Sequence, residues 1–257
     1  MLEQVIGFFL SWFANPSILG IGLAVVFGAV WLACYRPPLF EKPWLWVVLA
    51  ASSILTLVGI AFIQIPLQTW TGQALNHLWS QEVLSRWLLL AGIPAILVGG
   101  LVQEGSKFVP VVVWWWRRGR NIDPKMGLLI GAVSGVGFGV FEAQWVHTFI
   151  FASGWSWESV QTSGIVALGG FWERLFVVGY HTASCALAGW GLARGWGWQF
   201  YLLASFLHAF LHYSALLMSR LLSSVVQTEL LIAAWALLVI GGALWLRERE
   251  PAVVTEE

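Results

Sequence analysis

Seven long apolar runs govern what this chain can become. They cover approximately residues 16–35, 44–65, 86–116, 126–151, 166–193, 197–219 and 227–246. Each is about 20 residues or more, the length a helix needs to cross a hydrocarbon layer roughly 30 Å thick. Lipid offers nothing to satisfy backbone N–H and C=O groups, so runs of this kind fold as helices. The expectation is an all-α, polytopic transmembrane bundle of about seven spans. Composition agrees: 59% of the 257 residues are hydrophobic and 10% charged, against about 25% charged in a soluble domain. Residues 2–13 form a further apolar stretch that holds Glu3 and lacks the basic start of a cleavable signal. An interfacial segment or a short leading helix is expected there, an eighth element beside the seven spans.

The connections are short and carry the charges and helix breakers: Arg36-Pro37-Pro38 with Glu41-Lys42-Pro43, Pro66 to Glu82, Arg117 to Lys125, Gly154 to Gln161, Arg194-Gly195 and Arg220 to Gln227. Residues 1–250 therefore read as a single domain, with 251–257 a disordered tail. Alternating through seven spans puts Arg36, Lys42, Arg117, Arg118, Arg120, Lys125, Arg194, Arg247 and Arg249 on one side and only Arg86 and Arg220 on the other. By the positive-inside bias this orientation makes the C-terminus cytoplasmic. Many of the 19 Trp, such as Trp114-Trp115-Trp116 before Arg117, sit where spans should meet headgroups. The formal net charge of zero argues against a nucleic-acid partner. Cys34 and Cys185 lie in apolar runs and form no metal or disulfide framework.

The residues that do not belong in lipid point to function. Glu104 and Lys107 stand three apart inside the third run, where a charge costs roughly 2.5–3.5 kcal/mol at a helix centre. Counted from the basic side, Glu104 lies 13 residues from Arg117, Glu142 17 from Lys125, His181 13 from Arg194 and His208 14 from Arg194. At 1.5 Å per residue all four reach a common level about 20 Å in, which points to one intramembrane site. Each has a bland alternative. Glu104 and Lys107 could be a self-neutralising packing pair, Glu173 and Arg174 a salt bridge at a helix entrance, and His181, with Ser184 and Cys185 on its face, a hydrogen-bonded core histidine. Gly131, Gly135 and Gly139 recur every four residues, a spacing that lets membrane helices approach closely and would carry Glu142 inward. Arg174 is expected to pair with Glu142 or Glu104. Ser205, His208 and His212 share a face, but His-Ala-Phe-Leu-His lacks the Glu of the His-Glu-x-x-His zinc signature. His181, His208, His212 and Glu142 could still supply zinc ligands. His77 and His147 fall at the rim away from the basic side and carry no assigned role.

Four motifs in chain order resemble a known family. Gln103-Glu104-Gly105-Ser106-Lys107 is similar to the Glu-Glu-x-x-Lys/Arg motif of PrsW and YhfC-type membrane peptidases, relatives of the CAAX prenyl protease clan of glutamate-dependent intramembrane proteases. Phe138 and Glu142 resemble the second motif, Phe-x-x-x-Glu; Glu173-Arg174 with His181 and Ser184 the third; His208 and His212 the last, a His followed four residues later by Asn or Asp. Two positions depart from the pattern: Gln103 stands where the family has its first Glu, and His212 where it has Asn or Asp. The resemblance implies a peptidase-like core over about 86–220, a bacterial cytoplasmic membrane, and a membrane-embedded or membrane-proximal peptide as substrate.

The reading is an endopeptidase in which Glu104 deprotonates a water held between it and His208. His208 and His181 then orient that water or stabilise the oxyanion, Glu142 joins the network, and Gln103, Lys107, Arg174, Glu173 and His212 support it. No cofactor is required by this scheme; a zinc-dependent metalloprotease is the first rival. A catalytically inactive relative serving as a membrane-protein scaffold is the second, argued from Gln103. A proton-coupled transporter is the third, although no repeat is visible.

Overall fold

The computed structural model describes residues 2–221 and 224–250. In chain order the helices are α1 (Leu2–Ser11), α2 (Ile18–Tyr35), α3 (Trp44–Gly59), α4 (Ile65–Leu78), α5 (Gln81–Arg86), α6 (Leu88–Ala91), α7 (Ile93–Arg117), α8 (Pro124–Ala152), α9 (Trp157–Ser163), α10 (Gly169–Ala193), α11 (Gly197–Leu221) and α12 (Val225–Arg249). No strand occurs among the described residues. Seven helical stretches are long and apolar enough to cross a membrane, and α1 is shorter. The expected tail, residues 251–257, lies outside the described residues.

Two connections expected from breakers turn out differently. Pro66 does not end the second span: a π turn over Ile60–Gln64 joins α3 to α4, and helix continues to Leu78. Proline removes one N–H and its ring crowds the preceding turn. The wider π turn just before Pro66 is the kind of local adjustment that absorbs this inside a membrane helix. The segment Gly154 to Gln161 holds most of the short helix α9, started by a reciprocal Ser156–Ser159 capping box.

α8 and α10 form the nearly wholly buried central pair, and the other spans pack around them. Their contact is backbone against backbone. A Cβ on Gly131 would lie 2.2 Å from the Cys185 carbonyl oxygen, and one on Gly135 would lie 2.0 Å from that of His181. The four-residue glycine spacing thus faces α10 and brings Glu142 and His181 alongside each other. A second close approach, Gly100 against the Ser205 carbonyl at 2.4 Å for a built Cβ, seats α7 on α11 and places Glu104 beside His208. His147, assigned no role from sequence, is fully buried, and its Nδ1 lies 3.0 Å from the Gly20 carbonyl oxygen of α2.

At the basic end the helix termini are tied together. Arg194 reaches both Glu250 carboxylate oxygens (2.6 and 2.8 Å), Trp190 donates to Oε1 at 2.7 Å, and Arg247 donates to the Tyr35 carbonyl oxygen at 2.8 Å. At the opposite end α1 and Trp12 cover an aromatic cluster in which Trp12 stacks on Trp145 at 4.8 Å.

Candidate active site

α7 supplies Glu104 and Lys107, α8 Glu142, α10 Arg174 and His181, and α11 His208 and His212. All seven are drawn into one connected network with two layers.

The inner layer is sealed. Glu104 and Lys107 are 2% and 0% exposed and pair at 2.6 Å. Glu104 Oε1 also lies 2.6 Å from His208 Nδ1, and the Ser184 hydroxyl donates to both carboxylate oxygens at 3.1 and 3.2 Å. Lys107 Nζ reaches His181 Nδ1 at 2.9 Å. An ammonium has only donors, so His181 Nδ1 accepts and its proton resides on Nε2. On the other ring, a carboxylate already holding an ammonium accepts from His208 Nδ1, which leaves the His208 Nε2 lone pair outward.

Glu104 and His208 bond directly, so a water held between them would have to part the pair, and the Glu104 oxygens already accept from Lys107, His208 and Ser184.

The outer layer opens on a cavity of about 60 Å³ lined by Glu142, Glu173, Arg174, His181, His208 and His212, among others. Polar walls and that volume suffice for ordered water. His181 Nε2 lies 3.2 Å from Glu142 Oε2, and Arg174 Nη1 donates to the same oxygen at 3.2 Å. Glu142 Oε1 receives no hydrogen bond from the described residues, and the side chain is 20% exposed. His208 Nε2 meets His212 Nε2 at 3.0 Å with the rings stacked; since His208 presents a lone pair there, His212 is the donor. Arg174 also pairs with Glu173. Phe138 and Tyr180 each lie edge-on to the His181 ring.

Gln103 stands apart from both layers. Its amide donates 3.1 Å to Gln64 at the π turn, and Gln64 is followed by Gln68, which donates 2.8 Å to the Ala95 carbonyl oxygen. Gln103 therefore faces the π turn between α3 and α4 rather than the histidines. Ser134 (whose hydroxyl donates 2.6 Å to the Lys107 carbonyl oxygen) and Gln64 have no site role in the sequence reading, and Ser184 enters it only on the face of His181 and as part of the third motif. Ser184 had a legible signal, lying one turn from His181 on its face. Gln64 had none. Ser205, three residues before His208 on α11, donates to the Tyr201 carbonyl oxygen of its own helix.

For a metal, the donor set differs from the one read off the sequence. Among the described residues, three donor atoms fall within 4.8 Å of one another at Glu104, His181 and His208, not at Glu142 and His212. Lys107 Nζ already sits on that set, at bonding distance from two of its members. A cation there would have to displace the ammonium, so these residues as arranged do not fit a resident metal.

No curated protein matches the chain, and no solved structure matches it. A family model does: residues 41–241 match the PrsW family intramembrane metalloproteases, a range that holds every residue of both layers. With seven helices of spanning length and apolarity, this integral membrane protein belongs to the PrsW family of intramembrane proteases.

Proposed function

We propose that the protein is a glutamate-dependent intramembrane endopeptidase whose water-activating carboxylate is Glu142, with Glu104 acting through His208. The observation that carries this reading is the split between the two carboxylates. Glu104 is closed off by three donors, while Glu142 keeps Oε1 open on a polar cavity.

Glu142 Oε1 takes a proton from a cavity water, and the resulting hydroxide attacks the carbon of a peptide carbonyl. Arg174 and the His181 Nε2 proton, both on Glu142 Oε2, fix the carboxylate so that Oε1 is presented. Negative charge on the carbonyl oxygen is met by the Arg174 guanidinium, which lines the cavity and whose Nε–H has no partner among the described residues. As the tetrahedral species collapses, the C–N bond breaks and the proton held by Glu142 passes to the leaving nitrogen. His208, locked by Glu104 in the tautomer with its lone pair outward, holds the His212 proton in place.

The zinc-dependent reading suggested by the family description needs Lys107 to vacate the Glu104, His181 and His208 donors. No step above is routed through a metal. The substrate is a membrane-embedded or membrane-proximal peptide, and the basic end, with the C-terminus, faces the cytoplasm.

The test is incubation of candidate membrane substrates with purified protein in proteoliposomes, with products read by mass spectrometry. Cleavage by the wild type and none by Glu142→Ala is expected. Equal product from both removes the assignment.

A further inference from the structure

A second concavity adjoins the catalytic one along the same two helices. The cavity is bounded on α10 by Glu173, Arg174 and Val177 and on α12 by Ile232; the second is bounded on α10 by Gly169 and Trp172 and on α12 by Val225, Val226, Glu229 and Leu230. Both sets step outward by three to five residues, so the groove lies about 5–8 Å nearer the end opposite the basic rim. It measures about 460 Å³, and its walls are apolar apart from Glu229.

Glu229 is the anomaly. Its Oε2 is buried and has no hydrogen-bond partner among the described residues. A buried polar oxygen left unmatched is costly. The nearby cation is Arg174, within electrostatic range of Glu229, but its hydrogen bonds go to Glu142 and Glu173. Three carboxylates thus face one guanidinium where groove and cavity meet. A cationic ligand would complete the set.

We infer that this groove is the side-chain subsite of the peptidase, taking an apolar stretch of substrate with a Lys or Arg whose cation pairs with Glu229. The inference rests on the peptidase reading and names its substrate class. An extended chain advances about 3.4 Å per residue, so a 5–8 Å offset sets the basic residue about two positions from the bond cut. Trp172, 44% exposed, and Leu230, 56% exposed, cover the flanking apolar side chains.

The experiment measures binding first. Fluorescent leucine- and alanine-rich peptides carrying one Lys, one Gln or one Glu are titrated by anisotropy into the detergent-solubilised full chain, as wild type, Glu229→Gln and Glu229→Lys. The wild type is expected to bind the Lys peptide about tenfold tighter than the Gln peptide. Glu229→Gln erases that preference, and Glu229→Lys transfers it to the Glu peptide, a gain that misfolding cannot imitate. The same ranking in all three proteins, or no saturable binding of any peptide, overturns the subsite. Hydrolysis of the same peptides separates the two ideas. Charge ranking without cleavage keeps the subsite and removes the peptidase reading; cleavage without charge ranking does the reverse.

Discussion

Lys107 carries an ammonium at zero exposure, and the partners that offset its desolvation are Glu104 and His181. Removing one member of a buried ion pair costs about 3–5 kcal/mol, because the other charge is stranded. Lys107→Met should therefore lower the Tm in detergent by that order of stability, and the same variant uncovers three metal donors within 4.8 Å of one another. Added zinc is expected to raise the Tm of Lys107→Met and leave the wild type unmoved. A zinc-induced rise in the wild type would show that the ammonium gives way to a metal. The Glu104–Lys107 pair was legible in the sequence, since three residues on a helix share a face. Which of two carboxylates at one depth would face the cavity was not. That choice depends on how α7 is rotated about its axis, and the contact of Gly100 with Ser205 sets it. A local pattern carries no trace of such a distant contact.

At the level of elements, the α8–α10 contact positions Glu142 against His181. A methyl group on Gly135 would sit 2.0 Å from a carbonyl oxygen, whereas one on Gly241 meets nothing within 4 Å. Overpacking of this kind costs typically 1–3 kcal/mol, occasionally more. Gly135→Ala should give a lower Tm, or little folded protein, while Gly241→Ala behaves as the wild type; size-exclusion profiles and thermal unfolding check both. The spacing of Gly131, Gly135 and Gly139 announced this packing in advance. The course of the second span was hidden, because Pro66 reads as a breaker until the π turn at Ile60–Gln64 accommodates it. The same turn brings Gln64 to Gln103, a pairing that regular helical counting from Trp44 does not anticipate.

Across the whole molecule, the basic end is fastened by Glu250. Burial alone would raise its carboxyl, but hydrogen bonds from Arg194 and Trp190 and the charges of Arg194 and Lys125 hold it below the usual carboxylate value. A folded pKa below the unfolded one stabilises at pH above the unfolded value, about 4.3 for Glu. That contribution is lost as pH falls through the lowered folded value. The Tm gap between wild type and Glu250→Gln should be full at pH 7 and shrink below about pH 4; a gap constant across that range would show that the tie is not electrostatic. The seven-span bundle and the gathering of its basic termini could be anticipated from hydropathy and charge alone, whereas the apolar groove beside the site could not, because its walls come from α10 with the turn before it and from α12, more than fifty residues apart in sequence.

The most direct measurement is the turnover of one membrane-embedded peptide by wild type, Glu142→Gln and Glu104→Gln, reconstituted identically and treated with a chelator. The proposed roles predict a wild-type rate that the chelator leaves intact. Glu142→Gln should lower kcat by about 100-fold or more at little changed KM, as expected for loss of a general base. Glu104→Gln should lower it less, because a neutral amide still contacts His208. Full turnover by Glu142→Gln, with turnover lost only in Glu104→Gln or only on chelation, would contradict the account.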